Sequence, residues 1–409
     1  MGRSKSFGLD VSSEQEALLV SGATDARPVR GLTHNFYKYP ARFSPAFVRA
    51  AIEVFTMPGD LIVDPHVGGG TTLVEAIALG RDAIGIDISP LAQFVATTKS
   101  TVYSEKELIQ LKRWIKQVTN AIHMGKRSTK LRTYEQLGYY KHLHEKSRWR
   151  LRKAIEQAMA SAMKLKSNRL ESFGRCAVLR AAQWALDGKG RPTSVKEFRD
   201  HLAMSLVEMI EGARELRAVV RASSTSSKVK VVHRKAAGME RDPRINSRPP
   251  KLIVTSPPYP GVHVLYHRWQ VDGRKETPLP FMIAGKLDGA PSSHYTMGDR
   301  KAPGLNVYFE NLVATMSSAA AIADDQTIFV QMVAFSDPVT QLPRYLSVMK
   351  EAGLYEIFLP SLSSKLDGRL WRRVPGRRWY SEQRGETPGS REVVLIHRKI
   401  CEGTPSLTR

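Results

Sequence analysis

The sequence predicts an α/β fold built on a doubly wound, mainly parallel sheet. Short apolar runs bounded by turn residues recur at Leu61–Asp64, Asp82–Asp87, Val229–Val232, Leu252–Thr255, Gln326–Val333 and Glu392–His397, and each reads as a buried strand. Helical periodicity separates several of them, at Thr72–Leu79, Pro90–Lys99, Asn306–Ile322 and Leu342–Glu351. Strands that alternate with helices form crossover units, the pattern of a parallel sheet covered on both faces.

The alternation breaks after Lys99. From about Tyr103 to Val220 the chain keeps helical periodicity with no convincing strand. The expected organisation is therefore a core split by an insertion: residues 1–100 as its first part, 101–225 as a basic helical insertion, and 226–409 as its second part. Charge follows the same division. The 409 residues carry a formal charge of +23, and residues 101–235 hold 30 Lys and Arg against 12 Asp and Glu, +18 of that total. Concentrated positive charge favours a polyanionic partner, because phosphate contacts release condensed counterions, and nucleic acid is the leading candidate. The densest part places Lys141, Lys146, Arg148, Arg150, Arg152 and Lys153 around Trp149, which suits phosphate contact with an aromatic ring between or, alternatively, a solvated helix face.

Composition excludes several classes. At 42% hydrophobic and 25% charged residues the chain is of globular type, with no apolar run long enough to span a bilayer. Two cysteines, Cys176 and Cys401, are too few for a disulfide framework or a thiolate zinc site, which fits a reducing compartment. Residues Met1–Ser6 lack the apolar stretch of a secretory signal, so the expected location is the cytoplasm, with no metal and no membrane partner.

Two motifs carry chemistry. In Val63-Asp64-Pro65-His66-Val67-Gly68-Gly69-Gly70-Thr71-Thr72 a strand runs into a glycine-rich turn that opens a helix. Glycines let a ligand approach the backbone, and the helix N-terminus offers free N–H groups to an anion. The next strand ends at Asp87, about 20 residues on, where dinucleotide-type folds set a carboxylate on ribose hydroxyls. A nucleoside ligand is expected, although Asp87 followed by Ser89-Pro90 also reads as a helix cap. The second motif, Thr255-Ser256-Pro257-Pro258-Tyr259, follows directly on the strand at Leu252. Its prolines lack donors and fix φ, so carbonyls can face a cleft; Ser256 and the Pro257 carbonyl are acceptors suited to an exocyclic amine, and Tyr259 is a ring suited to stacking on a base.

Together these motifs resemble the amino-methyltransferases of DNA. In that family a D-P-F-x-G-x-G-T-T segment binds S-adenosylmethionine and an (S/N/D)-P-P-(Y/F/W) segment holds the amino group of a flipped base. Asp64–Thr72 is similar to the first, with His66 at the usual phenylalanine, and Ser256–Tyr259 to the second. His34–Phe43 resembles the additional cofactor motif, and Ile86–Pro90 the ribose-binding stretch. The likeness covers roughly residues 33–100 and 229–270. It implies a Rossmann-like S-adenosylmethionine-dependent methyltransferase sheet. It implies cofactor contacts from His34, Tyr37, Pro40, Asp64, His66, Gly68, Gly70, Thr71, Thr72, Asp87 and Ile88, and a catalytic segment of Ser256, Pro257, Pro258 and Tyr259. It also implies double-stranded DNA as substrate, with a restriction or defence-system component as a candidate partner. One departure is the stretch Val232-His233-Arg234-Lys235, where the family commonly has an acid for the cofactor adenine.

A leading serine is typical of the family's cytosine-N4 enzymes, and aspartate or asparagine of its adenine-N6 enzymes. The resemblance thus favours N4 and leaves N6 open, because one hydroxyl discriminates weakly between two amines. Transfer to cytosine C5 would need an activated cysteine in a Pro-Cys setting, which neither cysteine has. Candidate DNA contacts are Lys146, Arg148 and Arg150 in the insertion, His267 and Arg268 in the Gly261–Trp269 wall of the cleft, and Arg372, Arg373 and Arg377 in an arginine-rich loop at Asp367–Trp379. His263 and His267 sit four apart without a third ligand, so packing or DNA contact is preferred to a metal. The rival readings are an RNA amino-methyltransferase and a catalytically idle nucleic-acid-binding scaffold.

Overall fold

The computed structural model describes residues 11–40, 42–125, 131–145, 148–188, 190–223, 225–261, 268–271, 275–286, 295–298, 304–362, 367–373 and 391–399. The sheet is the doubly wound one that the strand–helix alternation predicts. Its strands are β1 (Leu61–Asp64), β2 (Asp82–Asp87), β3 (Val229–His233), β4 (Leu252–Thr255), β7 (Ile328–Ala334), β8 (Leu354–Ile357), β9 (Leu370–Arg373) and β10 (Arg391–Lys399), while β5 (Trp269–Val271) and β6 (Lys275–Thr277) form a separate hairpin. The order across the sheet is β3-β2-β1-β4-β7-β10-β8, with β9 also on β10. Neighbours from β3 to β7 pair in parallel. β10 is antiparallel to β7, β8 and β9.

Strands buried on both faces explain why these segments read as continuous apolar runs. On one face Val63, Ile84, Ile253 and Phe329 pack with helices α11 (Gly304–Ala321) and α12 (Pro338–Glu351). On the other, Ile62, Leu252, Val254 and Val330 pack with α2 (Pro45–Phe55) and α3 (Thr71–Ala78). Adjacent strand residues alternate between these two cores, as the pleat requires.

The insertion is helical, as its periodicity predicts: α5 (Glu105–Ala121), α6 (Leu131–Gln136), α7 (Trp149–Ala162), α8 (Asn168–Leu186) and α9 (Val195–Ala222). Capping boxes at Ser104/Glu107 and Ser194/Glu197 start α5 and α9, each satisfying orphan donors reciprocally. Their apolar stripes share one core with α4 (Pro90–Ser100) and the segment from Phe36 to Tyr39. Trp269, Val271 and α10 (Leu279–Ala284), grouped by sequence with the second half of the sheet, bury their side chains in this same helical core. Beyond α9, Thr225 is tied to the turn before β2, its hydroxyl donating to the Gly80 carbonyl at 3.0 Å. Among the described residues no helix is long and apolar enough to cross a membrane.

The helical body meets the segment before His34 at close quarters. Gly212, in the middle of α9, lies so near the Leu32 carbonyl that a Cβ would sit 2.1 Å from its oxygen. Glycine weakens a helix interior, and only this contact accounts for it here. Gly212→Ala should therefore destabilise the protein by about 1–3 kcal/mol despite alanine's better helix propensity. Thermal or urea unfolding checks this; a more stable variant would contradict the contact.

Candidate active site

An open α/β sheet leaves a crevice at the carboxyl ends of its strands where the strand order reverses, here between β1 and β4. β1 ends at Asp64, whose Oδ1 accepts the His66 backbone N–H at 3.1 Å while Oδ2 accepts the Thr72 hydroxyl at 2.5 Å. One buried carboxyl thus grips both ends of the glycine turn. β2 ends at Asp87, which accepts the Gly68 N–H at 2.9 Å and the Ser89 N–H at 2.8 Å. The cap reading and the ligand reading of Asp87 are therefore compatible, because a carboxylate has about four lone-pair sites and two are used. Gly70 sets the turn into α3 with φ +77°, and a Cβ there would lie 2.8 Å from the Ala96 Cα. Conformation and space both demand glycine.

Burial raises the Asp64 carboxyl to about 7 and Asp87 to about 6, against the opposing pull of their hydrogen bonds. It lowers His66 to about 4, so this imidazole is neutral at pH 7, with Nδ1 at 3.2 Å from the Thr255 hydroxyl of β4. Thr255 leads into Ser256, whose hydroxyl lies 3.1 Å from that of Tyr259. The Pro258 carbonyl accepts the Tyr308 hydroxyl of α11 at 2.7 Å.

These segments enclose a cavity of about 550 Å³. Of the sequence-predicted cofactor residues, Pro40, Asp64, His66, Gly68, Thr71, Thr72, Asp87 and Ile88 line it, and Ser256 and Pro258 line it from the β4 side. Gly70 and Pro257 are not among its lining residues. Three expectations require correction. His34 is 1% exposed and its Nε2 lies 2.6 Å from Glu75 of α3, itself bonded to Arg49 at 2.9 Å, so it anchors that helix from below. Tyr37 is buried, and its hydroxyl accepts the Trp269 indole N–H at 2.9 Å. Tyr259 is 7% exposed, its ring in the core beneath α11 and α12 and its hydroxyl donating to Glu392 at 2.5 Å; no free face is offered for stacking.

The candidate DNA contacts divide similarly. Arg150 is exposed, its guanidinium 5.4 Å from the Trp149 ring centroid, Arg373 is exposed, and Arg268 is half-buried. Arg148, 1% exposed, is interior, and Arg372 is bonded to Glu392 at 2.7 Å, so neither reaches DNA in this form. Lys146, His263, His267 and Arg377 lie outside the described residues. Sequence reasoning missed the far wall of the cavity, where Val307, Asn311 and Thr315 stand four residues apart on one face of α11, opposite Ala236 and Ala237 after β3. The spacing was present in the sequence, but nothing marked that face as facing a ligand. It also missed Arg42, which lines the cavity and donates to the His34 carbonyl at 3.3 Å, and Lys99, fully buried 3.9 Å from where a Gly69 Cβ would stand. Burial pushes the Lys99 ammonium down to about 7, and it has no hydrogen-bond partner among the described residues.

The raised acids have a thermodynamic consequence. The native state holds their protons more tightly than the unfolded chain, so stability falls as pH rises from the ordinary 3.8 through about 7 and levels off above. Asp64→Asn removes one titration with little change of shape. Relative to wild type its unfolding midpoint should rise between about pH 5 and about pH 8, and a pH-independent difference would refute the raised carboxyl.

Residues 21–97, which span β1, the glycine turn and β2, match the family model described as DNA methylase, of the N6/N4 type. The chain is 37% identical over 75 residues to the Type II methyltransferase M.MjaII of Methanocaldococcus jannaschii, covering 18% of this chain and 14% of that protein. It is 40% identical over 86 residues to the Type II methyltransferase M.BsoBI of Geobacillus stearothermophilus, covering 21% and 17%. The DNA adenine methyltransferase YhdJ of Escherichia coli is 33% identical over 88 residues, covering 21% and 30%. Each match spans less than a third of the relative's length, and Ser256–Tyr259 lies outside the family model. Over residues 21–97 this chain is thus similar to DNA methylases of the N6/N4 type.

Proposed function

We propose that this protein transfers a methyl group from S-adenosylmethionine to the exocyclic N4 of cytosine in double-stranded DNA. The observation that carries the reading is that Asp87 and Ser256, from β2 and β4, open on one cavity. Its volume of about 550 Å³ falls within the roughly 300–1,000 Å³ usual for small-molecule and cofactor sites.

The residues present suit the cofactor. Thr71 lines the cavity at the N-terminus of α3, where an anionic carboxylate is favoured, and its buried Oγ1 has no hydrogen-bond partner among the described residues. Arg42 adds a cation to that end. Asp87 would hold the ribose hydroxyls, and the adenine would lie past Ile88 between Ala236–Ala237 and the Asn311/Thr315 face of α11. Polar side chains there take the place of the acid that the end of β3 lacks. When bound, S-adenosylmethionine supplies an electrophilic methyl on a sulfonium, whose sulfur keeps the bonding pair as the methyl leaves.

The protein's task is positioning. Ser256 accepts an N–H of the exocyclic amine of a flipped base, which aims the nitrogen lone pair at the methyl; the amine then loses its extra proton to water. No covalent enzyme intermediate is needed, and orientation supplies most of the acceleration. A serine at this position supports N4 over N6, and a cognate restriction or defence-system component is the proposed partner.

The test is methylation-sensitive long-read sequencing of DNA from cells expressing wild type or Ser256→Ala, with nucleoside mass spectrometry. N4-methylcytosine in one short motif, lost in the variant, is the expected result. N6-methyladenine would overturn the base assignment alone, whereas methylated RNA and unmodified DNA would overturn the substrate. Separately, Asp87→Ala should weaken S-adenosylmethionine binding by about 10-fold or more in calorimetry, and unchanged affinity would remove Asp87 from the cofactor site.

A further inference from the structure

We infer that Glu392, on the last strand of the sheet, is a positioning residue that sets the hydrogen-bond polarity of Ser256 through Tyr259. The inference rests on the function proposed above and concerns a residue far outside either motif. Tyr259 has one hydroxyl proton, and its oxygen lies 2.5 Å from Glu392 Oε1 and 3.1 Å from Ser256 Oγ. Glu392 is a carboxylate in a buried ion pair: its Oε2 accepts the Nε–H of Arg372 at 2.7 Å and lies 2.7 Å from Nη2, with side-chain exposures of 6% and 5%. The pair is held across strands, Glu392 standing opposite Arg372 in the β9–β10 register, and Arg372 Nη1 donates to the Ala23 carbonyl of α1 (Ser13–Thr24) at 3.1 Å.

An ionised carboxylate only accepts. The Tyr259 proton therefore goes to Glu392, and the bond between Tyr259 and Ser256 must be donated by Ser256. That commits the single serine proton to the protein interior and turns the oxygen lone pairs to the cavity that Ser256 lines. A serine free to rotate could equally donate toward the amine nitrogen and occupy the lone pair that attacks. With its proton committed, Ser256 is an acceptor alone, and an amine can meet it only through N–H. Charge-assisted bonds are the strong members of such a chain, which makes Glu392 the group that orders it. On this reading the buried Tyr259 acts through its hydroxyl and not through ring stacking.

Glu392→Gln reverses the relay without changing its shape. The Arg372 guanidinium can only donate, so the glutamine turns its carbonyl oxygen to Arg372 and its NH2 to Tyr259. Tyr259 then accepts from Gln and donates to Ser256. The measurement is single-turnover methyl transfer to a duplex carrying a site the wild type methylates, together with calorimetric affinities for S-adenosylhomocysteine and for the duplex. Glu392→Gln and Tyr259→Phe should each slow transfer by about 10-fold or more with both affinities kept within about 3-fold. Combined, they should be no slower than Tyr259→Phe alone, because the second change acts only through the lost hydroxyl. A residue serving only the fold would not give that non-additivity. Should Glu392→Gln fail to fold, Tyr259→Phe, which leaves the ion pair in place, reads the relay by itself. An active wild type with fully active variants, or with penalties that multiply, overturns the relay alone. A wild type that transfers no methyl group to DNA overturns the functional reading and the relay with it.

Discussion

The parallel pairing of β1 with β4, Ile62 opposite Leu252 and Val63 opposite Ile253, is the constraint on which the site depends. A one-residue slip would exchange the two faces of β4, sending Ile253 from the α11 core to the α2 core and turning Ser256 away from the crevice. In register, the acid at the end of one strand and the serine after the other open on the same cavity. His66 and Thr255, 189 residues apart in sequence, come within 3.2 Å there. The helical chain between them has its own core, so closing this distance does not require ordering a long unstructured loop.

Burying two carboxyls at such a junction is costly unless donors surround them. Asp64 and Asp87 are surrounded by the turn itself, through His66, Gly68, Thr72 and Ser89, so the acids organise the loop and the loop keeps the acids inside. The helix that follows is fixed at its middle by His34–Glu75–Arg49. The segment that resembles a cofactor motif around His34 therefore contributes mostly by holding α3 in place, and it reaches the cavity at its far end through Tyr39, Pro40, Arg42 and Phe43.

Not every arginine behind the net charge of +23 is available to a polyanion. Arg372 neutralises Glu392 inside the sheet edge, Arg369 forks onto Glu356 at 2.6 and 2.7 Å, and Arg148 lies within the helical body. Arginine suits such work because its planar fork matches a carboxylate. The charge that remains outside, such as Arg150 beside the half-exposed Trp149, is the part that could meet phosphate.

Strand positions from β1 to β4 were legible in the sequence almost to the residue, because strands covered on both faces are apolar throughout and end at turn residues. The glycine turn, Asp87 and Ser256 were legible for a related reason: local backbone demands leave local signatures. The helices α1 and α2 gave no comparable sign; α1 buries few apolar residues, and its role depends on Glu16 meeting Ser361 at the other end of the chain. The cavity wall on α11, the burial of Arg148, the tethering of Tyr259 and the pairing of Glu392 with Arg372 were decided only by tertiary structure. Each depends on which face of one element meets another distant in sequence, and a residue's type records what it can bond, not which partner packing will bring to it.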